Sequence, residues 1–245
     1  MFRAAHAVSL LAFAFCVGST ALLLAEDGVG LKVLVTHGGH GFDQKAFFAV
    51  FDKMEAVEYD VAKLPDQADL LTPALAKKYD AIVMYDMVPG ISPAQQEQFL
   101  ALLKTGIGVV SLHHNIGAHR QWLEYRQVVG GAWLFEPQTI NGKDYSKSTF
   151  AHGEELTVRP VGDHPIARGL KAFSVKDETY GGLYHAPGVT VVLETDHAKN
   201  DRPIAWTTSY GNSKVFYLQL GHDAHVYHHP MFGAVIRRGI AWVSQ

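Results

Sequence analysis

Histidines gather in this sequence where hydrophobic runs end. His37 and His40 stand in Thr36-His-Gly-Gly-His-Gly-Phe42. His113 and His114 close Gly108-Val-Val-Ser-Leu-His-His114, and His222 and His225 follow Val215–Leu220, with His228 and His229 just beyond. Imidazole is the commonest metal ligand and the commonest general acid or base near neutral pH. Any one of these histidines alone reads as a surface or hydrogen-bonding residue. Three clusters at three strand ends read as one shared functional site. Asp177 and Glu178, in Asp177-Glu-Thr-Tyr180, form an adjacent carboxylate pair. Placed on a loop after the strand-like run Ala172–Val175, they could act as a base, as the partner that orients a histidine, or as solvated charge.

Other chemistries have less behind them. Gly38-Gly39 has neither a G-x-G-x-x-G context nor a phosphate-loop lysine, so it reads as a tight turn. Ser111 lies inside a strand, and the strand-to-helix elbow after it holds His113 or His114 in place of Ser or Cys. That opposes acyl-enzyme and glutaminase chemistry. The 21 basic and 24 acidic residues show no basic cluster, which argues against nucleic-acid binding.

The elements that must position these residues follow from hydrophobic periodicity. Leu31–Thr36 reads as a buried first strand, and Val57–Val61, Tyr79–Tyr85 and Gly106–Leu112 as the second, third and fourth strands. Asp43–Met54 and Ser92–Lys104 read as helices, and Thr72-Pro73 as the capped start of a short one. The alternation predicts an α/β protein with a parallel sheet and helices on both faces. In such a sheet, ligands bind beyond the carboxyl ends of the strands. The second half predicts mixed strands at Glu154–Arg159 and Val189–Leu193. A hairpin is expected from Pro203–Thr208 and Lys214–Leu220, and a closing helix over Pro230–Val243. Asp163 reads as a cap in Asp163-His164-Pro165.

The first 25 residues read separately. Arg3 precedes an uncharged stretch, Ala7–Ala25, which ends at Glu26-Asp27. This pattern predicts a cleaved secretory signal over residues 1–25, with an uncleaved anchor as the rival. The expected product is one exported domain, residues 26–245, in a bacterial periplasm or outside the cell, with no stable membrane insertion. Cys16, the only cysteine, would leave with the signal, so no disulfide or thiolate nucleophile is expected.

Taken in order, these motifs resemble the ThuA-like (trehalose utilisation) family, with its class I glutamine amidotransferase-like, flavodoxin-like fold. The resemblance is carried by Val35–Phe42, Gly108–His114, Trp122-Leu-Glu-Tyr125 with Gly130-Gly131, His164–Leu170, Asp177–Tyr180, Pro203–Trp206, and Val215–Asp223 ahead of Pro230-Met-Phe232. It implies carbohydrate metabolism, on oxidised (3-keto) disaccharides or glycosides, and a bound divalent metal, with zinc the first choice. His40, His113, Glu178 and His222 match family positions; His37 and His114 are extra imidazoles. The expectation is a metal-assisted enzyme of hydrolase or lyase type. His40, His113 and His222 would be its ligands. Glu178 would move a proton, with His114 and Asp223 as further catalytic residues and Asp223 orienting a histidine. Trp122, Tyr125 and Tyr180 would stack on the sugar. The partner expected is a small carbohydrate, with a homo-oligomer possible. A non-catalytic carbohydrate-binding protein is the alternative.

Overall fold

The structure, a computed structural model, describes residues 30–245. The signal segment expected over residues 1–25 lies outside them. The first half alternates β1 (Leu31–Gly38), α1 (Gln44–Asp52), β2 (Val57–Lys63), β3 (Ala81–Asp86), α2 (Pro93–Leu103) and β4 (Gly108–Leu112), followed by the single turn α3 (Tyr125–Val128). The second half has short β5 (Gly131–Ala132), β6 (Gln138–Ile140) and β7 (Lys143–Tyr145), then long β8 (Thr149–Pro160) and β9 (Phe173–Gly181). After these come β10 (Tyr184–His185), β11 (Thr190–Glu194), β12 (Pro203–Tyr210), β13 (Ser213–Leu218), α4 (Ala224–Tyr227) and α5 (Pro230–Val243). No helix among the described residues is long and apolar enough to cross a membrane.

Nine strands form one sheet in the order β2-β1-β3-β4-β13-β12-β11-β8-β9. The first five are parallel, and the rest pair antiparallel. The α/β expectation, with mixed strands in the second half, is therefore met. The inner parallel strands β1, β3, β4 and β13 are apolar on both faces because both faces are covered, while edge strand β2 stays largely exposed. Val33 and Val35 of β1 pack with Phe47 and Phe51 of α1 and Ile236 of α5, while Leu34 packs with Phe99 and Leu103 of α2 on the other side. The same period-two division runs through β3, with Val83 and Tyr85 on one face and Ile82 and Met84 on the other. The chain reverses direction across the sheet between β2 and β3, so the carboxyl ends of β1 and β3 flank a switch point, where α/β folds place ligands.

Caps set where the helices begin. Asp43 accepts from the Ala46 amide at α1, and Ser92 with Gln95 forms a capping box ahead of Pro93 at α2. Two expected caps are corrected. The helix after Thr72 is only a 3-10 turn, Pro73–Lys77, and the Thr72 side chain makes no capping bond. Asp163 instead pairs with Arg168, while His164 Nδ1 accepts from the Ile166 amide. The largest difference is at β9. The expected loop carrying Asp177 and Glu178 is the interior of a nine-residue strand. Acidic residues disfavour strands in general, and these two are kept there by partners supplied from other elements.

Beneath the strand ends lies a buried polar network. Thr36 Oγ1 of β1 donates to Asp86 Oδ1 of β3 at 2.7 Å, and Asn115 Nδ2 donates to the Asp86 carbonyl at 2.9 Å. Asn115 Oδ1 accepts from both Ser111 Oγ and Tyr125 OH. The turn that carries His113 and His114 is thereby tied to β1, β3 and α3. Asp86 Oδ2 and His119 Nδ1 have no hydrogen-bond partner, although Asp86 Oδ2 lies 3.8 Å from His119 Nε2. Burial pushes the Asp86 carboxyl up to about 6, against the Thr36 hydrogen bond, and pushes the His119 imidazole down to about 4.

These two shifts have opposite signs in linkage. The folded pKa of Asp86 lies above its ordinary 3.8, so its contribution to stability grows as pH falls from 6 toward 4. The folded pKa of His119 lies below its ordinary 6.5, so its contribution is lost as pH falls from 6.5 toward 4. Asp86→Asn removes the compensating group. Its melting temperature is expected to fall more steeply than wild type between pH 6.5 and 4, by on the order of 1 kcal/mol of stability per pH unit, while that of His119→Gln falls less steeply. Parallel melting curves for all three proteins would contradict both shifts.

Candidate functional site

Each element that meets at the strand ends contributes one constrained group. His113 follows β4 directly, and its φ of +50° lies in the left-handed region that side-chain-bearing residues avoid. Its buried ring is fixed by a 2.7 Å hydrogen bond between Nδ1 and the Gln219 carbonyl, and its own carbonyl accepts from Tyr217 OH at 3.0 Å. An imidazole thus occupies the sharp turn after the strand, the position that α/β-hydrolases reserve for a nucleophile.

The turn after β13 is held from two sides. Asp177 accepts from the Gly221 amide at 2.8 Å and the His222 amide at 3.0 Å. Tyr85 OH donates to the Gly221 carbonyl at 2.6 Å, and Tyr227 OH to the His222 carbonyl at 3.3 Å. Gly221 has φ +142°, and a Cβ there would stand 3.0 Å from His113 Cβ. Glycine is therefore what lets the His222 turn close onto the elbow. Burial raises the Asp177 carboxyl pKa, although His113 and the two amides oppose the shift.

Strands β8 and β9 bring in Glu178. Ala151 pairs with Thr179 and Glu154 with Asp177, so His152 and Gly153 together oppose the single residue Glu178. Gly153 has φ +68°, as a bulge of this kind requires. The result is a carboxylate among three imidazoles. Glu178 Oε2 lies 3.2 Å from His113 Nε2 and 3.4 Å from His222 Nδ1, while Oε1 lies 3.1 Å from His152 Nδ1. Burial acts to raise the Glu178 pKa, but the hydrogen bonds from His113 and His222 outweigh it and hold the carboxyl below its usual range. In return Glu178, by its hydrogen bond, raises the pKa of His222.

The hydrogen positions sharpen the picture. A carbonyl only accepts, so His113 Nδ1 carries a hydrogen and a neutral ring presents its lone pair at Nε2. Nε2 in turn faces a Glu178 oxygen at 3.2 Å, and either a proton on Nε2 or a cation between the two would satisfy both. His113, Glu178 and His222 offer one donor atom each, all within 4.8 Å of one another, and are the one such group among the described residues. Two ligands of a tetrahedral ion bound at about 2.0–2.1 Å stand about 3.3 Å apart, close to the 3.2 and 3.4 Å separations. Two imidazoles and a carboxylate are also a donor set that zinc enzymes use.

The residues expected to form the site divide. His113, Glu178, His222 and Tyr180 come together. Tyr180 stacks on His113 at 5.1 Å, and its hydroxyl lies 3.0 and 3.3 Å from the two ring nitrogens. It is itself buried, so a sugar cannot lie on it as expected. His40 is corrected as a member of the donor group. It is exposed and stacks on His114 at 4.5 Å, leaving Glu178 in the place assigned to it. His114 is buried, with Nε2 on the Tyr85 carbonyl, Nδ1 unpartnered and its pKa driven well below normal by burial. Asp223 does orient a histidine, but it is the exposed His225, and it also caps α4. The contact to the His222 turn belongs to Asp177. Trp122 and Tyr125 pack in the core behind β3 and β4, and the Tyr125 hydroxyl is engaged by Asn115, so neither is placed to stack on a ligand at this cluster. His152 was missed. The one signal for it was the glycine after it, since an isolated glycine within a strand pattern marks a bulge.

A family model described as ThuA, trehalose utilisation, matches residues 32–243. Comparison with curated proteins finds no match. Among solved structures, a ThuA-like protein of Parabacteroides merdae superposes with TM-score 0.72 at 17% identity, covering 88% of this chain and 90% of that one. A cytoplasmic protein of Salmonella typhimurium LT2 superposes with TM-score 0.62 at 12% identity, covering 88% and 100%. Another cytoplasmic protein of Salmonella typhimurium gives 0.60 at 14%, covering 87% and 99%. The exported, periplasmic placement expected above is corrected by these neighbours. Two solved structures that share the fold are of proteins named as cytoplasmic, and the segment that suggested export lies outside the described residues.

The double hydrogen bond from Asp177 makes a direct prediction. Asp177→Ala leaves the Gly221 and His222 amides without their acceptor, at a cost of about 2–4 kcal/mol. Urea denaturation should show that loss with an unchanged slope. A loss below about 1 kcal/mol would show that the turn is held by other contacts.

Proposed function

Because the chain belongs to the ThuA, trehalose utilisation, family, we propose that it is a carbohydrate-metabolism enzyme whose His113–Glu178–His222 cluster holds one divalent cation, zinc by its donor set. The observation that carries this reading is the convergence of His113 Nε2, Glu178 and His222, with His113 Nε2 3.2 Å from Glu178 Oε2 while its Nδ1 is engaged by the Gln219 carbonyl. The local field agrees with it. The ionised Glu178 carboxylate raises the pKa of His222, so the space beside its oxygens favours a positive charge. A cation bound there would polarise a carbonyl or hydroxyl oxygen of the sugar. An oxidised (3-keto) disaccharide or glycoside suits that chemistry, since it offers a carbonyl beside acidic C–H bonds.

The chain's own groups have defined parts in this reading. Asp177 holds the backbone of His222, and the Gln219 carbonyl fixes the His113 tautomer, the role that outer partners play at histidine ligands. With Glu178 Oε2 given to the cation, Glu178 is no longer free to carry a proton. His152 is the better proton carrier. It is bonded to Glu178 Oε1, and its side chain is 57% exposed and open to an incoming substrate. A second reading is favoured by the same 3.2 Å separation, which is also a hydrogen-bond length. A proton then takes the cation's place, and His113 and Glu178 work as an acid–base pair.

Elemental analysis of the purified protein separates the two. About one zinc or similar ion per chain, lost in His113→Ala and in Glu178→Gln, supports the cation. No metal after reconstitution of the wild type would overturn it and leave the acid–base pair. On 3-keto-trehalose, His152→Ala should keep the metal and lose at least about 100-fold in kcat. An unchanged kcat would remove His152 from the chemistry.

A further inference from the structure

Six aromatic rings close a circuit around Glu178. His113 stacks on Tyr180 at 5.1 Å, Tyr180 meets Trp133 at 5.0 Å, and Trp133 meets Phe150 at 6.1 Å. Phe150 meets His152 at 5.0 Å, His152 meets His222 at 4.5 Å, and His222 returns to His113 at 5.6 Å. Three members of this ring are the imidazoles on Glu178, and Tyr180 is buried behind them. The other two, Trp133 and Phe150, are hydrocarbon surface. Phe150 is 56% exposed, the one aromatic among the large apolar side chains that stand in solvent in the described residues. Its position is set by the strand pair that supplies Glu178. It lies opposite Tyr180 and two residues before His152 at the bulge.

We propose that Phe150 and the edge of Trp133 form the platform on which a hexopyranose ring is held against the His113–Glu178–His222 cluster. The proposal rests on the carbohydrate reading above and names how the ring would be bound. A pyranose has one face of C–H groups and a rim of hydroxyls. The circuit offers the matching pair, an apolar aromatic wall on one arc and a charged, hydrogen-bonding arc of histidines and carboxylate on the other. A ring lying on Phe150 would turn its hydroxyl edge toward His152 and the cluster. Aromatic walls with a few convergent polar groups are the usual form of a small-ligand site. Two residues apart on β8, Phe150 and His152 project from the same face, and their rings meet at 5.0 Å.

The test uses the full chain reconstituted with zinc, and saturation-transfer NMR with trehalose and methyl α-D-glucopyranoside as probes. Phe150→Ser alters an exposed side chain, and Phe150→Tyr keeps the ring. Wild type and Phe150→Tyr should bind with the strongest transfer to ring C–H protons. Phe150→Ser should bind about tenfold more weakly, with zinc content and melting temperature unchanged. Equal binding by wild type and Phe150→Ser would overturn the platform and leave the carbohydrate reading standing. No binding of either sugar by the wild type would overturn both.

Discussion

A carboxylate buried in protein must find positive charge or hydrogen-bond donors, and Glu178 finds three imidazoles. Three local irregularities of the backbone answer to that demand. The left-handed φ of His113, the glycine at 221 that lets the next turn approach and the bulge at His152-Gly153 each depart from regular backbone, and each brings one imidazole to the same two oxygens. Departures of this kind persist where surrounding structure over-determines them. Here that structure is supplied by Asp177 with Tyr85 and Tyr227 on the His222 turn, and by the Thr36–Asp86–Asn115 network under the elbow.

The fold divides its labour between its halves. Four of the five parallel strands, β1, β3, β4 and β13, are largely buried and supply a rigid frame at which the loops after β4 and β13 meet. The antiparallel strands that follow carry β9 back to those loops, so that a strand on the far side of the sheet order supplies the carboxylates. A glutamine amidotransferase-like scaffold normally presents a nucleophile at the elbow after β4. With His113 there and the only cysteine at position 16, the same strained position is used to aim an imidazole.

How much of this could be read from the sequence depended on what each segment buries. The parallel strands were legible because a short, continuous apolar run must be covered on both faces, and α1, α2 and α5 because 3.6-residue spacing puts one face of a helix in the core. The convergence of His113 and His222 was legible for the same reason, since both follow such runs. β9 was not, because Asp177 and Glu178 look like loop residues until the amides of Gly221 and His222 and the imidazoles are in view. His40 looked equivalent to His113 by pattern, but the turn after β1 leaves it in solvent against His114. His152 carried no pattern of its own and depends on a bulge, a feature of pairing more than of local sequence. The N-terminal stretch gave an export signal in composition alone, and the cytoplasmic neighbours that share the fold do not bear it out.

The central claim is the proposal that His113 Nε2 and His222 Nδ1 share a cation with Glu178. Long-range nitrogen–proton NMR of the histidine rings, recorded before and after one equivalent of zinc, addresses it most directly. The account predicts that His113 carries its hydrogen on Nδ1. On zinc addition, the His113 Nε2 and His222 Nδ1 resonances should move while those of His40 and His114 stay. A His113 ring protonated on both nitrogens that ignores zinc, or a response centred on His40, would contradict it.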